Sequence, residues 1–144
     1  MAIQNNSILS LCTGNSFRSQ IAEGLAKKHL SKFTIESAGT RPESINPIAI
    51  KIMKEINIDI SNQYSKSISD NKLETFDIII TLCGDAKDEC LNLSHIHNKH
   101  IHWGINDPAK VEGTNEEKVL AFRKTREQIM HKIINFSKKI PINI

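Results

Sequence analysis

The sequence lacks any long hydrophobic run and any recognisable sorting signal. No stretch of about 18 apolar residues occurs among its 144 residues, which argues against a membrane-spanning helix. The first ten residues contain neither the basic cluster nor the long apolar run of a secretion signal. We therefore expect a cytoplasmic protein that has no membrane partner.

Cysteine is also scarce, and the chain has only three: Cys12, Cys83 and Cys90. An odd number without a secretion signal does not suit a framework of structural disulfides, and cysteines in a reducing cytosol are more often catalytic or metal-binding. A chain of this length buries roughly 68–70% of its unfolded surface, so it needs neither a disulfide nor a metal for stability. The three cysteines therefore call for a chemical explanation.

Two common nucleotide-binding motifs are absent, the Gly-x4-Gly-Lys-Ser/Thr loop and the Gly-x-Gly-x-x-Gly turn. Their absence argues against the ordinary NTP-binding and NAD-binding enzymes. The formal charge is only +3, and lysines and arginines are spread along the chain, so nucleic acid is not an expected partner. A mildly positive field would nevertheless favour a small anionic substrate.

The hydrophobic pattern alternates between strands and helices along the whole chain. Short apolar or alternating segments predict strands at residues 7–11, 33–37, 76–82 and 100–103. Helical spacing of apolar residues predicts helices at residues 21–30, from Pro47 behind an Asn46 cap, and at 116–138. This alternation predicts an α/β fold in which one domain, residues 1–144, has a central four-stranded parallel sheet flanked by helices.

Two of the cysteines directly follow predicted strands. Cys12 comes after the first strand, and Cys83 comes after the continuous apolar run at residues 76–82. In open parallel sheets, ligands bind beyond the carboxyl ends of the strands. We therefore expect Cys12 and Cys83 at the ligand-binding edge.

The segment between the first strand and the first helix has the form Cys-x5-Arg-Ser, from Cys12 to Ser19. Wrapped around a tetrahedral oxyanion, such a loop directs successive backbone N–H groups inward, while the helix N-terminus and the Arg18 guanidinium supply positive charge. The same field favours the Cys12 thiolate, to which the Ser19 hydroxyl can donate. The predicted oxyanion-binding residues are Thr13, Gly14, Asn15, Ser16, Phe17 and Arg18. The structural alternative is a buried strand-end thiol near a surface arginine.

The sequence around this loop, CTGNSFRSQIAEG at residues 12–24, resembles the active-site loop of the thioredoxin-coupled arsenate reductases, which share the fold of low-molecular-weight protein tyrosine phosphatases. Further segments resemble the same family, in order, along nearly the whole chain: Ser37-Ala38-Gly39, Asn46-Pro47, Ile58-Asp59-Ile60-Ser61, Thr81-Leu82-Cys83-Gly84-Asp85-Ala86, His102-Trp103-Gly104 and Asp107-Pro108-Ala109. The resemblance implies a phosphatase-like α/β fold and an arsenate reductase that serves in arsenic detoxification.

Two features favour the reductase over the alternative, a low-molecular-weight protein tyrosine phosphatase. One is the pair Cys83-x6-Cys90, because a phosphatase needs only its nucleophile and a general acid. The other is Gln20 together with Asp107-Pro108-Ala109, where phosphatases typically carry a proline and, after Asp-Pro, a tyrosine. Weak phosphatase side activity is expected even of the reductase.

The resemblance implies a relay of three thiols. Cys12 attacks arsenic, and Asp107 protonates the departing oxygen. Cys83 then attacks Cys12 and expels arsenite, after which Cys90 attacks Cys83 and forms a disulfide that thioredoxin reduces. The implied catalytic residues are Cys12, Cys83, Cys90, Arg18, Asp107 and Ser19.

The resemblance also sets expectations about partners and flexibility. No bound cofactor or metal is implied, and thioredoxin is the expected electron donor. Phosphate or sulfate should bind as an oxyanion mimic of arsenate, and the enzyme should be a monomer. The polar composition of residues 84–90 suits a helix that unwinds during the relay.

The chain departs from the family pattern at two positions near the reacting thiols. Phe17 stands where many members have another cysteine, which is not one of the three redox thiols. Leu91 replaces a proline that commonly follows the third redox cysteine, so the local backbone is expected to differ there. Neither change alters the proposed chemistry.

A third departure concerns a monovalent cation site that some members build near the loop. The matching positions here are Asn15, Glu23 and Ser37, but Lys66 stands at the acidic position. We hypothesise that the Lys66 ammonium replaces the cation beside Glu23 and holds Asn15 and the loop without potassium. The structural alternative is an exposed lysine.

A zinc-binding module is the rival from a different class. Its candidate ligands are Cys83, Cys90, His95, His97, His100 and His102. Structural zinc sites usually pair their cysteines as C-x2–4-C, and the gap of six residues between Cys83 and Cys90 is wider. The spacing therefore disfavours zinc, and the histidines are interpreted as part of a polar loop and a strand.

Overall fold

The computed structural model describes residues 6–67, 73–83 and 99–139. Within these ranges the strands are β1 (Ser7–Cys12), β2 (Thr34–Gly39), β3 (Ile78–Cys83) and β4 (Lys99–Ile105). The helices are α1 (Arg18–His29), α2 (Pro47–Lys54) and α3 (Asn115–Lys139), with a short 3-10 helix at Pro108–Lys110. None of these helices is both long and apolar enough to cross a membrane.

The strands form a parallel sheet in the order β2-β1-β3-β4. This confirms the predicted α/β fold with a four-stranded parallel sheet. β1 lies in the interior of the sheet, where Cys12 pairs with Gly39 of β2 and Leu11 pairs with Thr81 of β3. The carboxyl end of β1 therefore lies beside the carboxyl end of β3, as the positions of Cys12 and Cys83 predicted.

Two strands are longer than the sequence pattern predicts, because their last residues pair with neighbouring strands. The pattern ends the second strand at residue 37, but β2 continues to Gly39 because its last residues pair with β1. The pattern ends the fourth strand at residue 103, but β4 continues to Ile105, which pairs with Cys83. Both extensions lie at the carboxyl edge of the sheet.

The described helices pack on one face of the sheet and bury the larger apolar cluster. Its fully buried members include Ile8, Ile21, Leu25, Ile52, Met53, Ile129 and Ile133. A smaller cluster lies on the opposite face and consists of Leu9, Leu11, Ala38, Leu73, Phe76 and Ile79. Adjacent residues of β1 thus point into different clusters, as expected of an interior strand covered on both faces. Burial of each such side chain stabilises the fold by roughly 1.5–3 kcal/mol, which anchors the carboxyl end of β1.

α2 begins where the sequence predicted. The Asn46 side chain accepts a hydrogen bond from the Ile48 N–H at 2.9 Å, and Pro47 occupies the first turn, where it has no N–H to leave unpaired. This confirms the predicted Asn46 cap.

An ion-pair network joins the end of α2 to α3. Arg126 is nearly buried and donates to the Ile52 carbonyl at 2.7 Å and to Glu55 Oε1 at 2.8 Å. Arg123 binds the same carboxylate through Nε and Nη2. Hydrogen bonds from Arg123 and Arg126 lower the pKa of Glu55 from about 4.5 to about 2. The two helices are therefore held together by charge as well as by apolar packing.

Candidate active site

The loop between β1 and α1 ends at a helix N-terminus that has no side-chain cap. The N-cap residue is Phe17, which makes no capping hydrogen bond, and the first turn of α1 contains no acidic residue. The first amides of a helix have no partner inside the helix and carry the positive end of its dipole. Phe17 packs instead edge-on against Phe122 of α3, with ring centroids 4.5 Å apart. The helix end is therefore suited to an anion.

Hydrogen bonds on the outer side of the loop fix four successive carbonyl groups. Three of them accept from backbone N–H groups of the segment before α2: Thr13 from Arg41 at 2.8 Å, Gly14 from Glu43 at 2.8 Å and Ser16 from Asn46 at 2.9 Å. The fourth, the Asn15 carbonyl, accepts from Gln20 Nε2 at 3.0 Å and from Ser65 Oγ at 2.8 Å. Every carbonyl from residue 13 to residue 16 is thus held away from the inside of the loop.

These outward carbonyls determine where the loop amides point. A trans peptide is planar, and its N–H lies opposite its C=O. The N–H groups of Gly14, Asn15, Ser16 and Phe17 are therefore directed to the inner side of the loop. The hydrogen bonds of the protein itself thus hold this segment with its amides inward, an arrangement that is suited to an anion.

Asn15 gives the loop its sharp turn and is completely buried. Its φ of +49° is in the left-handed region, which costs a residue other than glycine about 1–2 kcal/mol. Three hydrogen bonds of its side chain offset that cost. Oδ1 accepts from the Lys66 N–H at 2.8 Å, while Nδ2 donates to Ser19 Oγ at 2.7 Å and to Ser37 Oγ at 2.9 Å.

The Cys12 thiol is buried and lies 2.9 Å from the Ser19 hydroxyl. The Ser19 oxygen already accepts from the Asn15 amide, so its own proton is available to the sulfur. A thiolate accepts such a bond well, because hydrogen bonds to charged groups are the stronger ones. The arrangement can therefore stabilise a Cys12 nucleophile.

Arg18 lies at the centre of the carboxyl edge, with only 4% of its surface exposed. Its Nη1 donates to the Ile105 carbonyl at 2.8 Å and to the Leu82 carbonyl at 3.3 Å, so it links the ends of β4 and β3. Its Nη2 lies 3.8 Å from Asp107 Oδ2. Asp107 also accepts from the Ala109 N–H at 2.9 Å, which fixes the carboxylate at the start of the 3-10 helix. The predicted residues Arg18 and Asp107 are thus brought together.

Cys83 is the last residue of β3. The pairing of β3 with β4 is irregular there: Thr81 pairs with His102 and Cys83 with Ile105, so β4 contains one more residue than β3 between these two pairs. Such bulges are common beside active sites, where they redirect a side chain. The Cys83 side chain lies outside the part of the structure that is described. So do residues 84–98, which include the predicted Cys90, the segment expected to unwind and Leu91.

The Glu23 carboxylate lies behind the loop and is nearly buried. It accepts from Ser37 Oγ at 2.5 Å and from Lys27 Nζ at 2.6 Å, and Lys66 Nζ lies 3.7 Å from its Oε1. Lys66 is therefore near Glu23, but the Lys27 ammonium makes the shorter contact. The Lys66 ammonium also donates to the Tyr64 carbonyl at 3.2 Å. Replacement of a monovalent cation by Lys66 stays a hypothesis.

The histidines of β4 meet a buried threonine of β3. Thr81 Oγ1 lies 2.9 Å from His100 Nε2 and 2.7 Å from His102 Nδ1. Burial and the neighbouring His102 lower the pKa of His100. Of the other proposed zinc ligands, Cys90, His95 and His97 lie outside the described residues.

Three residues that hold the loop were not found by sequence reasoning in that role: Gln20, Gln63 and Ser65. In the sequence, Gln20 indicates only the reductase branch. Its side chain reaches the Asn15 and Tyr64 carbonyls and receives a hydrogen bond from Gln63, which is 43 residues away in sequence. No local sequence signal indicates such a contact.

Comparison with known proteins finds relatives that match nearly the whole chain. The family model for low molecular weight phosphotyrosine protein phosphatases matches residues 7–143. An arsenate reductase of Bacillus subtilis (strain 168) is 46% identical over 136 residues, which cover 94% of this chain and 97% of that protein. An arsenate reductase of Bacillus licheniformis is 48% identical over 136 residues, with the same coverage of 94% and 97%.

Solved structures give the same result for the fold. A structure described as an arsenate reductase in the phosphate binding state has a TM-score of 0.72 and 30% identity, and the match covers 94% of this chain and 98% of that chain. Another, described as an arsenate reductase in reduced state, has a TM-score of 0.75 and 30% identity, with coverage of 93% and 98%.

Proposed function

This chain belongs to the low molecular weight phosphotyrosine protein phosphatase family and, within it, to the arsenate reductases, and from this premise we propose that it reduces arsenate through a relay of three cysteine thiols. Arsenate reduction itself is the activity of relatives that are 46% and 48% identical to it. The roles of individual residues and the electron donor are the parts that we add. The observation that carries them is the loop after Cys12, where hydrogen bonds hold the carbonyls of residues 13–16 so that the amides face the inner side.

The first step is attack on arsenic by the Cys12 thiolate. Inward amides and the N-terminus of α1 hold the anionic oxygens, and the Ser19 hydroxyl donates to the sulfur. Arg18 supplies a two-pronged cation beside the loop. The sulfur forms a bond to arsenic, and one arsenic–oxygen bond breaks.

The oxygen that departs in this step needs a proton. Asp107 is the proposed donor, because its carboxyl group lies 3.8 Å from the Arg18 guanidinium, on the side of the site formed by the end of β4. The bond from the Ala109 N–H and the ring of Pro108 keep it in place. The oxygen leaves as water.

The relay then transfers two electrons to arsenic. The Cys83 thiolate attacks the Cys12 sulfur, the sulfur–arsenic electron pair goes to arsenic, and arsenite departs from a Cys12–Cys83 disulfide. Cys90 attacks Cys83, which releases Cys12 as a thiolate. The resulting Cys83–Cys90 disulfide is reduced by thioredoxin, whose dithiol supplies the two electrons. The adjacency of β1 and β3 supports the transfer from Cys12 to Cys83.

Single-cysteine variants test the relay. We predict that Cys12→Ser loses both arsenate reduction and hydrolysis of p-nitrophenyl phosphate, since both reactions start at Cys12. Cys83→Ser and Cys90→Ser should lose thioredoxin-dependent turnover but keep the slow ester hydrolysis, which needs no redox pair. Arsenate reduction is followed by NADPH consumption with thioredoxin and its reductase.

A folded Cys83→Ser variant that still turns over with thioredoxin would contradict the relay. Loss of ester hydrolysis in all three folded variants would contradict the division of labour between Cys12 and the redox pair. Circular dichroism shows whether each variant is folded.

A phosphate-ester hydrolase is the second candidate function. Cys12, Arg18 and Asp107 are sufficient for that chemistry; Arg18 lies 3.8 Å from Asp107, and Cys12 contacts Ser19, the residue that follows Arg18. Thioredoxin-dependent arsenate reduction separates the two, because only the reductase requires it. An enzyme that hydrolyses phosphate esters rapidly but leaves arsenate unchanged would establish the phosphatase instead.

The remaining parts of the proposal concern the whole protein. Residues 1–144 are proposed to form one domain, which the family match over residues 7–143 supports. The enzyme is proposed to act as a cytoplasmic monomer, with phosphate or sulfate as competing oxyanions and without a bound cofactor. Size-exclusion chromatography with light scattering tests the oligomeric state.

A further inference from the structure

Four peptide groups form the inner wall of the oxyanion loop, and one of them is held differently from the other three. The carbonyls of residues 13, 14 and 16 bind backbone N–H groups of the segment before α2. The Asn15 carbonyl binds side chains instead, those of Gln20 and Ser65. The Asn15–Ser16 peptide is therefore the one whose orientation depends on residue identity.

Gln20 is completely buried, and its amide group is fully used. Its oxygen, Oε1, accepts from Gln63 Nε2 at 2.8 Å. Its nitrogen donates to the Asn15 carbonyl at 3.0 Å and to the Tyr64 carbonyl at 3.1 Å. These bonds use both hydrogens of the nitrogen.

The orientation of the Gln20 amide follows from its neighbours. Gln63 Nε2 also lies 3.0 Å from the Gln20 main-chain carbonyl, which can only accept, so a nitrogen must occupy that position of Gln63. The same Gln63 nitrogen also donates to the Gln20 side chain, so the atom of the Gln20 amide that faces Gln63 must be its oxygen. The Gln20 nitrogen must then face Asn15 and Tyr64.

We propose that Gln20 is a positioning residue of the oxyanion site: its amide, oriented by Gln63, holds the Asn15 carbonyl outward and so keeps the Ser16 N–H directed into the loop. The Asn15 carbonyl and the Ser16 N–H belong to one planar peptide group, so turning the carbonyl turns the N–H with it. Gln20 touches no substrate and acts through Asn15. This inference deepens the oxyanion-binding role proposed above and rests on it.

Binding of inorganic phosphate tests the proposal without any arsenate turnover. Gln20→Met keeps the length of the side chain and removes its donors. The dissociation constant of phosphate, measured by titration calorimetry, should rise about tenfold, since a misdirected amide forfeits one hydrogen bond to a charged group. The KM for arsenate should rise with it, while kcat changes less, because Cys12 and Asp107 are untouched.

A direct readout is the amide proton of Ser16 in 15N-labelled protein. In the wild type, phosphate should shift this resonance downfield together with those of the other inward amides. In Gln20→Met the Ser16 shift should shrink selectively. A role in packing alone would lower the melting temperature but leave the phosphate affinity of the folded protein and the Ser16 shift unchanged.

Gln63→Met provides a second variant, because Gln63 is only partly buried and acts through Gln20. It should weaken phosphate binding less than Gln20→Met, and the double variant should be no worse than Gln20→Met alone. Thr125→Val is the matched control, since it removes a buried hydroxyl that donates to the Ala121 carbonyl within α3. Unchanged phosphate affinity in folded Gln20→Met, or equal weakening in Thr125→Val, would overturn the proposal. Wild-type protein that binds phosphate but does not reduce arsenate would refute the proposed function and leave this test intact.

Discussion

At the scale of single residues, Gly39 has little freedom to change, because the backbone of the loop lies directly against it. A Cβ atom there would lie 2.6 Å from the Thr13 carbonyl oxygen, 2.8 Å from the Asn15 nitrogen and 3.0 Å from the Asn15 Cβ. Two of these atoms belong to the backbone, so the conflict cannot be relieved by a flexible side chain. The close approach of β2 to the loop therefore requires glycine.

We predict that Gly39→Ala weakens phosphate binding by at least tenfold, because the loop must shift to admit the methyl group. Overpacking of this kind also costs about 1–3 kcal/mol of stability. Gly104→Ala is the matched control on β4, where a Cβ would approach His102 Nε2 only to 3.7 Å, an ordinary contact. Phosphate titration and thermal melting of both variants check this. Equal phosphate affinity in Gly39→Ala and wild type would show that the loop tolerates the shift.

The residue scale also shows how far sequence reasoning reached into the site. The Cys-x5-Arg-Ser spacing indicated the loop, since nucleophile, amides and arginine are contiguous there. The outer hydrogen bonds gave no such signal, because the N–H groups of Arg41, Glu43 and Asn46 belong to the backbone and any residue except proline supplies one. Gln63 and Ser65 bind Gln20 and Asn15, which lie 43 and 50 residues away in sequence, and local patterns contain no signal for such contacts.

At the scale of elements, the Glu55 network couples α2 to α3. Arg123 and Arg126 lower the Glu55 pKa to about 2, so the folded protein binds the proton more weakly than the unfolded chain, whose value is about 4.5. The resulting stabilisation is complete above about pH 5 and is lost as the pH falls from about 4.5 towards 2. Because the carboxylate is about one-third exposed, solvent screening limits its contribution to about 1 kcal/mol.

We predict that Glu55→Gln lowers the free energy of unfolding by about 1 kcal/mol at pH 7 and by much less near pH 2. The reason is that the unfolded chain binds a proton below about pH 4.5 and the folded carboxylate is itself protonated near pH 2, so the ion pairs no longer favour the folded state there. Urea unfolding at several pH values measures the difference. Glu112→Gln, in the loop before α3, is the control, and a difference for Glu55→Gln that does not depend on pH would argue against the ion pairs as its cause.

The positions at which strands begin and end show a second limit of sequence patterns. The apolar run at residues 76–82 correctly indicated a buried strand, but β3 begins at Ile78 and ends at Cys83. Pairing decides these ends: the first partner of Ile78 is Ile8 on β1, and Cys83 pairs with Ile105 beyond a bulge. Which residues pair depends on neighbouring strands that are far away in sequence. The existence and order of the elements could therefore be predicted, and their bounds could not.

At the scale of the whole molecule, the oxyanion loop connects elements from most of the described chain. Its carbonyls bind the segment before α2, Asn15 binds Ser37 of β2, and Phe17 packs against α3. Arg18 links the ends of β3 and β4. An anion that fixes the loop therefore stabilises contacts of the entire sheet edge, and its binding should be coupled to global unfolding.

We predict that phosphate raises the melting temperature of the whole protein in a single transition. Ligand at one hundred times its dissociation constant stabilises a folded protein by about 2.7 kcal/mol. For a chain of this size, that corresponds to a rise of roughly 5–15 °C. Sodium chloride at equal ionic strength is the control, because general screening of charges would act equally in both salts. Hydrogen exchange should slow in the loop and also at residues 41–46, whose amides hold its carbonyls. Equal melting temperatures in phosphate and chloride, or protection confined to the loop, would mean that the site is not coupled to the fold through these hydrogen bonds.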